Sequence, residues 1–148
     1  MNQNNDITPS MEDYLESILK LERINIQAKI KDIAADLNVQ MPSVIGALKT
    51  LRGKGLVLYE KSSSIELTDK GKIIAVSVKD RHEKIAVFLQ SILLFPEKEA
   101  QATACRIEHV INPETAKQFN NLTNYLKSDV IDKIITQNNW KEIINRSN

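Results

Sequence analysis

The chain is poor in the residues that most metal and disulfide scaffolds are built from. Its 148 residues include one cysteine, Cys105, and two histidines, His82 and His109. A single cysteine excludes an internal disulfide, and with it the disulfide-stapled secreted scaffolds. It also excludes a structural zinc site made from several cysteines of one chain, so any metal site must lean on carboxylates as well. Glycine and proline number four each, and aromatic residues make up 5% of the chain. So few breakers and aromatics point to a mostly helical protein. Neither sign of charge dominates: 20 Lys and Arg face 19 Asp and Glu. That excludes a globally basic nucleic-acid binder but leaves room for a local basic patch. The longest unbroken apolar run, Ile85 to Leu89, is five residues long. A membrane span needs about 20. The opening MNQNNDITPS has no apolar h-region, so a signal peptide is not expected. What is present, 42% apolar and 26% charged residues, is the composition of a folded protein, expected in the cytoplasm. The length suits one domain, or two small ones sharing a core.

Local signals place the elements. Thr8-Pro9 reads as an N-cap followed by a first-position proline. Met11, Tyr14, Leu15, Ile18 and Leu19 follow at helical spacing. A short helix is expected over residues 30–37, closed by Asn38, a residue that tolerates the left-handed turn conformation. Pro42 opens a third helix with Val44, Ala47, Leu48 and Leu51 on one face, ended by Gly53 and Gly55. Leu56–Tyr59, a polar turn at Ser62–Ser64, and the alternating Ile65–Thr68 form a hairpin pattern. Thr68 caps a long helix expected over residues 69–95, which Pro96 stops. Further helices are expected over 97–111, over 113–127 after the Asn112-Pro113 cap, and over 129–144.

Helix, turn, helix, then hairpin is the order of a winged helix-turn-helix. The third helix would enter the major groove, with Gln40, Pro42 and Ser43 toward base edges. Lys49, Arg52 and Lys54 would reach phosphates, which position a protein without reading sequence. Gln40 to Lys72 holds six Lys and Arg against three Asp and Glu, a local excess of three on a chain whose net charge is +1. Ile45, Gly46 and Ala47 leave this helix short of polar readers. DNA shape and thymine methyls would then carry much of the specificity.

A second pattern is metal-like. In Cys105-Arg106-Ile107-Glu108-His109, positions i, i+3 and i+4 share a helical face, so Cys105, Glu108 and His109 are expected to converge. Thiolate, carboxylate and imidazole are all ligand types. Asp13 and Glu16 form an i, i+3 pair on the first helix, off the stripe of Met11, Leu15 and Ile18. That helix is acidic: Asp6 to Glu22 contains five acids and one Lys. His82 lies midway along the long helix.

The stretches TPSMEDYLESI, LTDKGKIIA, RHEKI and ACRIEHV come in the order and approximate spacing of one family. From Thr8 to about Gln118, the chain resembles the diphtheria toxin repressor and manganese transport regulator family of metal-dependent repressors. The resemblance implies a winged-helix DNA-binding domain, residues 1–74, and an all-helical dimerisation and metal-binding domain, residues 75–148. It implies metal ligands at Asp13, Glu16, His82, Cys105, Glu108 and His109, and Fe²⁺ or Mn²⁺ as corepressor. Cys105 matches the iron-responsive branch, where the manganese branch has Glu. Asp13 matches the manganese branch, where the iron branch has Met. Ala86 and Gln101 replace two ligands of the iron branch's ancillary site. The length resembles that of the manganese branch, without an SH3-like third domain.

Carboxylates favour Mn²⁺, while a thiolate favours Fe²⁺ or softer ions; Zn²⁺ and Co²⁺ would also bind in vitro. The expected partner is a double-stranded, pseudo-palindromic operator read by a homodimer. Phe88, Ile92, Leu93, Val110 and Phe119 are candidates for the dimer core or for the chain's own. A winged-helix factor answering a non-metal effector is the alternative. The chain shows no nucleophile and general-base constellation and no glycine-rich phosphate loop, so it does not read as an enzyme.

Overall fold

A computed structural model describes residues 7–24, 26–60, 64–131 and 136–146. Thr8 is extended, and its Oγ1 accepts the Met11 N–H at 3.3 Å. Pro9 fills the first helical position, where no N–H is needed. Helix α1 then runs Pro9–Arg23, with Tyr14, Leu15, Ile18, Leu19 and Leu21 buried along one stripe. Helix α2 (Ile30–Leu37) closes at Asn38, which is left-handed at φ 52 and ψ 46. Val39 N–H returns to the Ala34 carbonyl at 3.0 Å, satisfying an end group of the helix. Helix α3 (Met41–Gly53) starts two residues later. Ile33 and Ala34 of α2 and Val44, Leu48 and Leu51 of α3 close one core with the α1 stripe. Each buried Leu or Ile contributes about 1.5–3 kcal/mol. Packing rather than helix propensity therefore holds helices this short.

Strand β1 (Val57–Leu58) pairs antiparallel with β2 (Glu66–Leu67), Val57 opposite Leu67 and Leu58 opposite Glu66. Ile65 makes an isolated bridge to Ala28. Leu56, Val57 and Ile65 are buried in the three-helix core, which fastens the hairpin to it. Of the polar turn expected at Ser62–Ser64, residues 62 and 63 lie outside the described residues.

Helix α4 (Asp69–Ser91) begins against this hairpin. Thr68 Oγ1 accepts the Gly71 N–H at 3.1 Å and donates to the Gly55 carbonyl at 2.7 Å. Gly71 lies so close to β1 that a Cβ would stand 2.0 Å from the Leu56 carbonyl oxygen. The helix ends at Ser91, not at Phe95 as its pattern suggests. Pro96 forces the residue before it toward extended backbone. The chain turns ahead of that point through Leu94, which is left-handed at φ 58, and Phe95 N–H bonds back to the Leu89 carbonyl at 3.0 Å.

The chain divides within α4 into two compact units, one up to Lys79 and one from Asp80. In the second unit, α5 (Glu97–Ile107) packs on the end of α4 through Ala100 and Ala104, set against Ile85, Ala86 and Leu89. It stops four residues short of the expected Ile111, in a turn over Glu108–Val110. Asn112 caps α6 (Pro113–Tyr125), its side chain accepting the Thr115 N–H at 2.8 Å. A π-helical turn, Leu126–Ile131, follows; of the helix expected over 129–144, residues 132–135 lie outside the described residues, Thr136 is extended, and α7 runs Gln137–Ile144. The Trp140 indole N–H anchors α7 to the Ile92 carbonyl at 2.8 Å. Ile92 is buried and Leu93 packs on the α4–α5 core, while Val110 is 79% exposed. The Phe88 and Phe119 rings meet edge to face at 4.9 Å. Among the described residues there are no strands beyond β1 and β2 and no SH3-like domain.

Gly71→Ala would place a methyl group against backbone that cannot yield. It is expected to destabilise the protein by about 1–3 kcal/mol. Gly46→Ala, in mid-helix with nothing within 4 Å of its Cβ, is expected to stabilise by about 0.5–1 kcal/mol. Urea unfolding of the two variants, followed by circular dichroism, reads both signs in one experiment.

Candidate metal centre and nucleic-acid interface

Small residues bring the chemistry of the second unit together. Ala100 and Ala104 let α5 approach α4 closely. His82 lies one turn before Ile85 and Ala86 on α4, and Cys105 and Glu108 follow Ala104 at the end of α5. The ligand atoms of His82, Cys105 and Glu108 all lie within 4.8 Å of one another. His82 Nδ1 is 2.5 Å from Glu108 Oε2, and its Nε2 is 2.6 Å from Gln101 Oε1. Gln101 thereby orients the ring from behind, as outer-shell partners of ligating histidines do.

Glu108 is the hub. It is fully buried, and its Oε1 has no hydrogen-bond partner. His109 Nε2 stands 3.4 Å from that oxygen. The two imidazoles thus address different oxygens of one carboxylate. A buried, incompletely bonded carboxylate costs several kcal/mol unless positive charge accompanies it. Sulfur, nitrogen and oxygen donors around such a group fit a divalent cation. Arg81 is also buried, and its Nε–H donates to the Glu108 carbonyl at 2.7 Å, fixing the turn that carries Glu108 and His109.

Neither Arg81 nor Gln101 was singled out as a positioning residue by sequence reasoning. The only signals were an arginine beside a candidate ligand and a glutamine one turn before another. Asp13 and Glu16 belong to the first unit. Both are half-buried on α1, three residues apart and so on one face.

In the first unit α3 turns Val44, Leu48 and Leu51 into the core. Its opposite side is open: Gln40, Pro42, Ser43, Lys49 and Arg52 are exposed, and Lys54 is half-buried at the C-cap. No acid occupies its first turn, so the positive end of the helix dipole is not offset there. Met41, 54% exposed beside Pro42, joins this surface. Sequence reasoning passed over it, because an apolar residue at a helix start reads as core. A winged helix-turn-helix with an open α3 face, and a helical unit holding a cation-type cluster, together define a DNA-binding regulator with an effector site.

The comparisons agree. The family description "iron dependent repressor, N-terminal DNA binding domain" matches residues 6–65. "Iron dependent repressor, metal binding and dimerisation domain" matches residues 68–136. An uncharacterized HTH-type transcriptional regulator of Methanocaldococcus jannaschii is 35% identical over 114 residues, 76% of this chain and 91% of the relative. The HTH-type transcriptional regulator MntR of Bacillus velezensis is 34% identical over 122 residues, 82% of this chain and 85% of MntR. The solved manganese regulator SloR has a TM-score of 0.71 and 33% identity, over 80% of this chain and 55% of SloR. ScaR, solved with bound Zn²⁺, has a TM-score of 0.65 and 27% identity, over 78% of this chain and 54% of ScaR. The chain therefore spans about half the length of these two solved relatives. It belongs to the diphtheria toxin repressor and manganese transport regulator family. That is a family of metal-dependent transcriptional regulators, not of enzymes.

Arg81→Met would keep the aliphatic stem but leave the buried Glu108 carbonyl without its donor. A loss of about 1–3 kcal/mol in unfolding free energy is expected. Urea denaturation checks it, and an unchanged midpoint would remove Arg81 from this role.

Proposed function

We propose that this chain is a cytoplasmic, metal-activated transcriptional repressor that binds a pseudo-palindromic operator as a homodimer. Fe²⁺ or Mn²⁺ is the corepressor. The observation that carries this reading is the buried Glu108 carboxylate, with its orphaned oxygen, set between two imidazoles and a thiol. His82, Cys105, Glu108 and His109 are the ligands from the second unit, and Asp13 and Glu16 are those from α1. Family membership supports the assignment, as does the description of SloR as a manganese regulator. The thiol favours Fe²⁺, and the carboxylates leave Mn²⁺ competent. Zn²⁺ and Co²⁺ are expected to bind in vitro, so availability in the cell would have to select against them.

A bound divalent cation supplies the positive charge that cancels repulsion among Asp13, Glu16 and Glu108. Asp13, Glu16, His82, Cys105, Glu108 and His109 would hold the cation, and doing so would fix the position of α1. Without that set the acidic α1 is less constrained. DNA binding and ligand-set assembly become coupled, and the coupling is reciprocal, typically about 1–3 kcal/mol. On DNA, Gln40, Pro42 and Ser43 meet base edges, and Lys49, Arg52 and Lys54 meet phosphates. Because Ile45, Gly46 and Ala47 offer little hydrogen bonding, DNA shape supplies much of the discrimination. Each ligand must lose its proton to bind, so affinity for the cation falls as the solution is acidified.

The test is anaerobic binding to a duplex selected by the wild-type chain from random-sequence DNA, titrated with Fe²⁺, Mn²⁺, Zn²⁺ and Co²⁺ in turn. Binding is expected to appear only with metal and to vanish with chelator. Cys105→Ala combined with His109→Ala is expected to abolish the response. Persisting metal dependence in that double variant would overturn the ligand assignment. Tight binding indifferent to chelator would favour a regulator with a non-metal effector.

A further inference from the structure

The wing sheet is too small to hold its own outer edge. Strand β2 has two residues, and β1 covers one side of it. Thr68 N–H bonds to the Leu56 carbonyl at 3.1 Å, and Val57 stands opposite Leu67. In an antiparallel ladder this alternation turns the Leu67 N–H away from β1, and the Ile65 N–H with it. On that outer edge Ile65 N–H finds the Ala28 carbonyl at 3.1 Å. Continuing the register would place Ile26 across from Leu67. The Ile26 N–H, which in that register would donate to the Leu67 carbonyl, is instead committed to the Leu21 carbonyl at 3.0 Å, closing the end of α1. The pairing on this edge stops at the single Ala28–Ile65 bridge, and among the described residues the Leu67 N–H bonds to a side chain rather than to backbone. That N–H donates to Glu22 Oε1 at 2.9 Å, across 45 residues of sequence.

Glu22 lies in the last turn of α1, where the helix dipole disfavours an acid, and its neighbours there are Lys20 and Arg23. A carboxylate accepting a backbone N–H makes a bond roughly twice as strong as a neutral one. We propose that Glu22 is a positioning residue that stands in for the missing wing strand and couples α1 to the wing. Leu56 and Val57 share the core with Leu48 and Leu51 of α3, so β1, β2 and α3 are set together. Glu22 follows Asp13 by nine residues and Glu16 by six on the same helix. This inference deepens the proposed function and rests on it: what fixes α1 through Asp13 and Glu16 reaches the wing through Glu22.

Two readouts on the full chain test it, with Glu22→Ala and with Glu22→Gln, which keeps an acceptor oxygen. The first is amide hydrogen exchange at Leu67, followed by NMR. Glu22→Ala is expected to speed it about tenfold, and Glu22→Gln to restore most of the protection. The second is affinity for the selected duplex with Mn²⁺ and with chelator. Glu22→Ala is expected to shrink the ratio of the two about fivefold or more, and Glu22→Gln to recover it. A merely structural role would lower both affinities equally and leave the ratio unchanged, which would overturn the coupling. Unchanged protection at Leu67 in Glu22→Ala would overturn the contact itself. If the wild-type chain bound the duplex equally with and without Mn²⁺, the metal reading and the coupling would fall together. Leu67 exchange would still decide whether Glu22 holds the wing.

Discussion

A carboxylate taken out of water loses hydration that hydrogen bonds or a nearby positive charge must replace. Glu108 is in that position, and the second unit is arranged around it. Its backbone is pinned by Arg81, one oxygen faces His82, and the other, without a hydrogen bond, faces His109. The alanines of α5 let the two helices come close enough for these groups to meet. A neutral, well-hydrated site would need none of this. An arrangement that is costly when empty is one that a cation can relieve, which is the physical basis of an effector site.

The first unit follows a different economy. Three short helices, each too short to persist in isolation, are held by one apolar core, and the wing is fastened to the same core through Leu56, Val57 and Ile65. Close approach is used where it matters. Gly71 lets α4 start directly against β1, and Asn38 begins a three-residue turn from α2 into α3. The open face of α3 is left with little hydrogen-bonding capacity in mid-helix.

Much of this was legible in the sequence where the signal is local. Thr8-Pro9, Asn38 and Asn112-Pro113 mark helix ends through their own side chains and φ preferences, and each acts where its pattern says. The spacing of Cys105 and Glu108 likewise brings them together, whereas His109, expected on the same helical face, lies in the turn after α5 and meets Glu108 rather than Cys105. The ends of α4 and α5 were less legible. They depend on a left-handed Leu94 and on a turn tied down by Arg81, a residue more than twenty positions away. Gln101 could be read as a missing ligand but not as the partner that orients His82. Glu22 was invisible as anything but surface charge, because its acceptor role exists only once Leu67 lies beside it.

One carboxylate shared by two imidazoles also ties the halves of the site to each other. His82 addresses Oε2 and His109 addresses Oε1, and the two oxygens move as one rigid plane. Any rotation that improves one contact changes the other. The two histidines therefore cannot be tuned independently by small adjustments of the Glu108 side chain. Shortening it by one methylene would withdraw both oxygens together.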